Sequence, residues 1–139
     1  MSAKSPLSPT WTPRILSVLR IVAGFLFMTH GSAKILHFPE VAQFEHLPLF
    51  SLIGAAGLLE LIGGALVMLG LFTRPAAFVL SGEMAFAYFI AHAPQAFLPL
   101  LNRGESAVLY CFLFLYLAFA GGGPWGFDAL RRRPRGARA

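Results

Sequence analysis

The sequence has little charge. Of its 139 residues only 12% are Asp, Glu, Lys or Arg, whereas 57% are hydrophobic, and the mean hydropathy is +0.69. A typical soluble domain carries roughly 25% charged residues, so a soluble fold of this size could not cover so much apolar surface. A bilayer removes that requirement because lipid can face apolar side chains directly. The composition therefore predicts an integral membrane protein and excludes a soluble enzyme domain.

Cysteine is nearly absent, and the motifs of common enzyme sites are missing. Cys111 stands alone in an apolar run, which excludes an internal disulfide and any CxxC or Cys/His metal site. We interpret it as a small buried hydrophobic residue. The chain also lacks a phosphate loop, a nucleophile elbow, a nucleotide fingerprint and a Glu-x-x-His di-metal motif. The sequence thus predicts no self-contained active site, no metal and no covalently bound cofactor.

Four apolar stretches occupy most of the chain. A membrane span needs on the order of 20 apolar residues, and proline- or glycine-rich breaks separate the stretches. We predict an all-α fold, a four-helix membrane bundle, with spans at about residues 15–36, 50–72, 75–92 and 105–121. Close packing of these helices is predicted at the small residues Gly54, Gly57, Gly63 and Gly64.

Basic residues indicate the orientation, because cytoplasmic loops carry an excess of Lys and Arg. The net charge is +5, and five of the eleven basic residues lie in the last nine positions. We assign this excess to the membrane surface rather than to nucleic acid. Residues 1–13 are predicted as a disordered cytoplasmic tail, residues 14–128 as the four-span domain and residues 129–139 as a basic cytoplasmic tail. Both termini are then cytoplasmic.

A secretory signal is the alternative at the N-terminus. Arg14 and Arg20 precede an apolar stretch, and the small residues at 31–33 resemble a cleavage site. Cleavage there would leave three spans and place the basic tail on the opposite side of the membrane. The distribution of basic residues therefore favours four spans.

Ionisable side chains lie inside the predicted spans, where each costs at least ~2.5–3.5 kcal/mol and needs a partner or a function. Glu60 and Glu83 fall near the middle of the second and third spans, at similar depth. His30 and Lys34 share one face of the first helix because they are four residues apart. Two more ionisable residues, near the outer ends of the third and fourth predicted spans, complete the candidate ligand or proton site. The six candidates are His30, Lys34, Glu60, Glu83, His92 and Glu105.

Structural interpretations compete with these functional ones. Lys34 could extend to the interface or pair with Glu60 or Glu105 as a packing contact. Glu105 also suits a helix start, where the helix dipole favours negative charge. Three further charged residues are interpreted as orientation or structural residues: Arg20, Arg74 and Asp128.

Several segments occur in a characteristic order. They are GSAKIL after Arg20, ELIGGALVMLGLFTRPAA, AYFIAHAPQAFLPLLNRGESAVLY and GGGPWGFDAL with Asp128. In this order the chain resembles the DoxX family of small bacterial membrane proteins over about residues 14–130. The resemblance implies a four-helix membrane fold and an association with quinone-linked redox or oxidative-stress systems. Some relatives are subunits of thiosulfate:quinone oxidoreductase, and many have no assigned activity.

Three hypotheses follow for function. The leading one is a subunit of a quinone-linked redox system in the inner membrane of a bacterium. Quinone would bind within the bundle between aromatic walls formed by Phe86, Tyr88 and Phe89, and a partner redox subunit would supply electrons. The second is a small transporter that uses Glu60 and Glu83 as proton sites. The third is a non-catalytic scaffold for partner enzymes, and a second copy of the chain is a further expected partner.

Overall fold

The computed structural model describes residues 9–132, and all regular structure in that range is helical. A 3₁₀ turn at Ala42–Phe44 precedes the second helix, and a π-helical turn at Tyr88–His92 extends the third. The helices are α1 (Trp11–Ile35), α2 (Leu52–Leu69), α3 (Thr73–Ala87), α4 (Pro99–Asn102), α5 (Glu105–Ala120) and α6 (Phe127–Arg132). The all-α prediction is therefore confirmed for the described residues.

Two predicted boundaries differ from the structure. Residues 11–13, assigned to the disordered tail, form the first turn of α1. Pro13 fits there because the first N–H groups of a helix have no intrahelical acceptor. Residues 129–132, assigned to the basic tail, belong to α6. The rest of both predicted tails, residues 1–8 and 133–139, lies outside the described residues.

The ends of α2 follow from their sequence. Ser51 precedes the helix, and its hydroxyl accepts a hydrogen bond from the Gly54 amide at 3.1 Å. Gly70 follows the helix at φ +70°, a conformation that glycine adopts without steric cost. The Leu71 amide then donates to the carbonyl of Leu66 at 2.9 Å, which completes a Schellman turn. Only three residues separate α2 from α3, so the two helices run in opposite directions.

The third helix widens before it ends. The amide of Ala93 donates to the carbonyl of Tyr88 at 2.8 Å, a bond across five residues rather than four. Pro94 follows and has no amide to continue the pattern. The helical path therefore reaches His92, as predicted for the third span, but its last turn is rotated relative to an ideal α-helix.

Helices α1 and α2 pack with their backbones close together. A Cβ atom added to Gly31 would collide with the backbone of Leu61, and one added to Gly64 would collide with the backbone of Met28. Small residues at helix crossings are typical of membrane proteins, because lipid provides no hydrophobic drive and close contact must provide the attraction. The sequence predicted Gly64 at such a crossing but missed the glycines of α1.

The buried core is centred on the contact between α3 and α5, and α1 and α2 each contribute a residue to it. The ring of Phe27 meets that of Phe114 edge-on, with 4.8 Å between centroids. The Ser81 hydroxyl donates to the carbonyl of Cys111 at 2.8 Å, so it is satisfied within the α3–α5 contact. The buried apolar cluster consists of Phe27, Val67, Ala77, Leu80, Met84, Tyr88, Ala107, Phe114 and Leu117.

The outward faces of the long helices are apolar as well. Phe25 on α1, Ile62 on α2, Phe78 on α3 and Phe112 on α5 are each at least half exposed. Two described helices, α1 and α2, are long and apolar enough to cross a membrane, and α5 is apolar but has 16 residues. Such faces suit contact with lipid.

Candidate functional site

A cavity of about 1090 Å³ lies between α1, α2, α3 and α5. We call it the carboxylate cavity, because Glu60 and Glu83 both line it. The other predicted site residues in its wall are His30, Lys34 and His92. Five of the six candidates from the sequence are therefore brought together in one place.

Lys34 and Glu60 form an ion pair within this cavity. The Lys34 Nζ lies 2.7 Å from Glu60 Oε1, and the carboxylate is almost completely buried. The same ammonium group lies 5.6 Å from the centroid of the Phe44 ring, a cation–π distance. Glu60 Oε2 is buried without a hydrogen-bond partner among the described residues. The pair thus links α1 to α2 and still leaves one carboxylate oxygen free.

Glu83 is less satisfied than Glu60. Both of its carboxyl oxygens are buried, and neither has a hydrogen-bond partner among residues 9–132. A buried polar group without a partner is costly, so such groups are rare in native structures. An unpartnered carboxyl group in a cavity wall is therefore available to a ligand or to a proton.

Aromatic rings surround these polar groups. Tyr110 of α5 lies 5.2 Å from Phe27 and 6.4 Å from His30 between ring centroids. All three residues line the carboxylate cavity. The sequence analysis missed Phe27 and Tyr110, because neither is charged and both occur in apolar runs. The alignment of Tyr110 with His30 depends on which faces of α1 and α5 meet.

At the far end of α3, a hydrogen-bond network fixes His92. Its Nδ1 lies 3.0 Å from the backbone carbonyl of Asn102, which can only accept, so Nδ1 carries the proton. In the neutral ring Nε2 is then the acceptor nitrogen. Asn102 is buried, donates to the carbonyl of Ala96 at 2.6 Å and accepts from the amide of Gly104 at 2.7 Å. The loop between α3 and α5 is therefore held by Asn102.

Three sequence predictions for this cavity are not matched by the structure. Glu105 is exposed in the first turn of α5 and does not line the cavity, as its competing helix-start interpretation implies. Of the three predicted aromatic walls only Phe86 lines the cavity. Tyr88 is buried in the core, where its hydroxyl donates to the Phe97 carbonyl, and Phe89 is 64% exposed.

The carboxylate cavity opens to the outside between α2 and α3. Leu59 of α2 and Val79 and Phe86 of α3 line it, and each is also exposed on the surface of the molecule. Gly82 lies in the same wall, and a Cβ atom there would meet nothing within 4 Å. A ligand could therefore pass sideways between two helices whose outer faces are apolar.

A second polar group of residues lies near the start of α1. We call it the Arg20 cluster, and it contains Ser17, Arg20, Arg74 and Asp128. Arg20 is fully buried and donates four hydrogen bonds. The acceptors are the carbonyls of Val67 (2.7 Å), Met68 (2.5 Å), Gly122 (2.8 Å) and Trp125 (2.9 Å).

Arg74 and Asp128, like Arg20, bind backbone groups at helix ends. Arg74 Nη1 donates to the carbonyl of Phe119 at 2.6 Å, near the end of α5. The Asp128 carboxylate accepts from the amides of Phe72 and Thr73, both at 2.9 Å, at the start of α3. Cations thus bind carbonyls at helix C-termini and an anion binds amides at an N-terminus, as helix dipoles favour.

Charge and hydrogen bonding oppose partial burial at Asp128. Burial raises the pKa of its carboxyl group, but the amides of Thr73 and Phe72 and the charge of Arg132 outweigh that effect. The pKa of Asp128 is consequently held below its ordinary value. The structure therefore favours the ionised form of this residue.

Comparisons with known proteins bear on both groups of residues. The family model described as DoxX matches residues 15–93, which include Arg20, Lys34, Glu60, Arg74 and Glu83. A protein of Haemophilus influenzae (strain ATCC 51907 / DSM 11121 / KW20 / Rd), described as an uncharacterized protein, is 43% identical over 122 residues. That alignment covers 85% of this chain and 91% of the relative. No solved structure matches the chain.

The family match covers more than half of the chain and includes the ion pair of the carboxylate cavity. The family is membrane-associated, in agreement with the two helices that are long and apolar enough to cross a bilayer. The chain therefore belongs to the DoxX family.

Proposed function

We propose that the carboxylate cavity binds a quinone and that the chain is a membrane subunit of a quinone-linked redox system. One observation carries the proposal. A single cavity combines buried carboxyl and ammonium groups with an apolar opening on the side of the molecule. A quinone has the same two parts, a polar head with two carbonyl groups and an apolar tail.

The proposed topology has four spans in the inner membrane of a bacterium, with both termini on the cytoplasmic side. Its support is the exposed apolar face of each of the four long helices. Arg74, Arg131 and Arg132 lie at one end of these helices, whereas Glu40 and Glu45 lie in the loop at the other end. The positive-inside tendency places the arginine end in the cytoplasm.

The dimensions and lining of the cavity suit a quinone head. Pockets for small molecules usually enclose ~300–1,000 Å³ with mostly apolar walls and a few polar groups, and this cavity reaches about 1090 Å³. The rings of Phe27 and Tyr110 provide flat apolar surface. Lys34 and His30 can donate hydrogen bonds to a carbonyl oxygen. The tail would extend between α2 and α3 into the lipid.

Electrons would come from another protein in this proposal. A partner redox subunit would reduce or oxidise the bound quinone. The transporter and scaffold hypotheses stay predictions, and they differ from this proposal in measurable ways. Proton-coupled flux in liposomes would identify a transporter, and a scaffold would bind no quinone.

The test is to titrate decylubiquinone, and a short-chain menaquinone, into the purified protein in mild detergent by calorimetry. The matched variants both lie on α3. Gly82→Leu should fill the cavity opening without disturbing packing, since a Cβ at Gly82 has open space around it. Phe78→Leu changes an exposed side chain outside the cavity and is the control.

We expect saturable binding to the wild type and to Phe78→Leu, and at least about tenfold weaker binding to Gly82→Leu, a difference of ~1.4 kcal/mol. Glu60→Gln should also bind more weakly, because it removes the partner of Lys34. Absence of binding to the wild type would refute the proposal. If both Gly82→Leu and Glu60→Gln bind quinone as tightly as the wild type does, the quinone binds outside the carboxylate cavity.

A further inference from the structure

Among residues 9–132, two carboxyl groups but a single ammonium group line the carboxylate cavity. Lys34 is committed to Glu60, 2.7 Å away, whereas Glu83 has no hydrogen-bond partner among the described residues. If both acids were ionised, the cavity would carry one negative charge more than its lysine neutralises. Burying an uncompensated charge is strongly unfavourable. One proton must therefore be bound in the empty cavity, whereas a ligand that donates a hydrogen bond to the carboxylate favours its ionised form.

We propose that Glu83 carries this proton and that its protonation state selects between quinone and quinol. This inference rests on the proposed function. Neutral Glu83 donates an O–H to a carbonyl of the quinone. Ionised Glu83 accepts an O–H from a hydroxyl of the quinol. No bond of the ligand forms or breaks in this step, and the proton that leaves Glu83 goes to water.

The geometry assigns this role to Glu83 rather than to its neighbours. Glu60 already accepts a charge-assisted bond from Lys34, so its charge is compensated. The titratable or charged groups that face the cavity are His30 and Lys34 on α1, Glu60 on α2, Tyr110 on α5 and His92 on the π-helical turn. None of them donates a hydrogen bond to Glu83. Within the part of the chain that the structure describes, Glu83 is the acid of the cavity with no bond on either oxygen and no compensating cation, so a ligand can approach both of its oxygens.

The experiment measures the affinities of decylubiquinone and of decylubiquinol, kept reduced under anaerobic conditions, from about pH 5 to about pH 9. In the wild type the ratio of the two Kd values should change about tenfold per pH unit within the titration range, because one proton is linked to the choice of ligand. Quinone should be preferred at low pH and quinol at high pH. Glu83→Gln should bind both forms with a ratio that does not vary with pH, since the amide both donates and accepts.

The controls separate this inference from the proposed function. Glu105→Gln alters an exposed acid outside the cavity and should keep the wild-type pH dependence. Two results would overturn the role of Glu83 and leave quinone binding intact. One is a ratio of Kd values in the wild type that does not vary with pH, and the other is a pH dependence of this ratio that persists in Glu83→Gln. Absence of binding of either form would overturn both.

Infrared difference spectroscopy provides a second measurement on the unmodified protein. Addition of quinol should remove the C=O stretching band of a protonated carboxyl group, and addition of quinone should retain it. Glu83→Gln should lack this change, because the band belongs to Glu83, and Glu105→Gln should keep it. A change that persists in Glu83→Gln would assign the proton to another acid of the cavity and contradict the inference.

Discussion

The two polar regions of the molecule differ in how completely their charged side chains are hydrogen-bonded. In the Arg20 cluster, each charged side chain meets backbone groups that a helix end leaves free, and Arg20 alone donates to four carbonyls. In the carboxylate cavity, Glu83 has no partner among the described residues and Glu60 keeps one free oxygen. Arg20 and Lys34 are 14 residues apart on α1, or about 21 Å along its axis.

This difference separates structural charges from functional ones. A buried charge whose hydrogen bonds are complete ties neighbouring elements together and offers nothing to a ligand. A buried group with unused hydrogen-bonding capacity lowers stability and is retained where a ligand or a proton uses it. Substitutions of Arg20 and of Glu83 by methionine should therefore change stability in opposite directions.

The largest effect is expected for Arg20→Met. The variant removes four hydrogen bonds, although the Val67 carbonyl keeps a bond from the Gly70 amide. Each buried carbonyl that stays unsatisfied costs ~1–3 kcal/mol. The free energy of unfolding should fall by at least ~3 kcal/mol, measured by circular dichroism in mixed detergent micelles. Arg14→Met is the control on the same helix, since Arg14 makes a cation–π contact with Trp11 at 5.3 Å and should cost below ~1 kcal/mol. Equal losses would mean that Arg20 is not a structural centre.

The next effect contrasts two glycines. Gly31→Ala forces a Cβ into the backbone of α2 and should lower the free energy of unfolding by ~1–3 kcal/mol. Gly82→Ala has open space and should raise it by up to ~1 kcal/mol, because alanine is the better helix former. The same unfolding assay compares the two. A loss in both variants would contradict the open cavity wall at Gly82.

A gain of stability is expected for Glu83→Met. Methionine has a similar length and needs no hydrogen bond, so the free energy of unfolding should rise by ~1 kcal/mol. Glu60→Met should instead destabilise the protein, since it leaves Lys34 buried without its partner. If Glu83→Met unfolds more easily than the wild type, Glu83 has a structural partner and the contrast between the regions fails.

The smallest effect is expected for Asp128→Asn. The lowered pKa of Asp128 means that its contribution to stability is complete above the ordinary carboxyl pKa of ~3.9 and is lost as pH falls through the lower folded-state value. Near neutral pH the variant should lose ~0.5–1 kcal/mol, a typical capping contribution. Below about pH 4 the difference in thermal midpoint between variant and wild type should shrink. A difference that grows in acid would contradict this role.

The sequence predicts the helices well because its signal is local. The predicted stretches 15–36, 50–72, 75–92 and 105–121 each overlap a long helix, since apolar length and helix-ending residues are read without knowledge of packing. The spacing of His30 and Lys34, and the similar depth of Glu60 and Glu83, likewise place these side chains near one another.

The features that the sequence could not predict depend on which helix faces pack against each other. The acceptors of Arg20 are backbone carbonyls, which are the same for every residue type and carry no sequence signal. Tyr88 was predicted as a cavity wall, but it lies at the start of the π-helical turn and faces the core. Tyr110 was missed because only the packing of α5 against α1 brings it to the cavity.

The bonds of Arg20 also bear on how the protein is made. Its Nε partner, Gly122, follows in the sequence 102 residues later, so α1 emerges from the ribosome long before that carbonyl exists. Until α2 and the segment after α5 are synthesised, the guanidinium group must remain at the membrane surface or in water. A truncated chain would therefore keep an unsatisfied cation, which gives the cell a chemical mark by which an unfinished copy differs from a complete one.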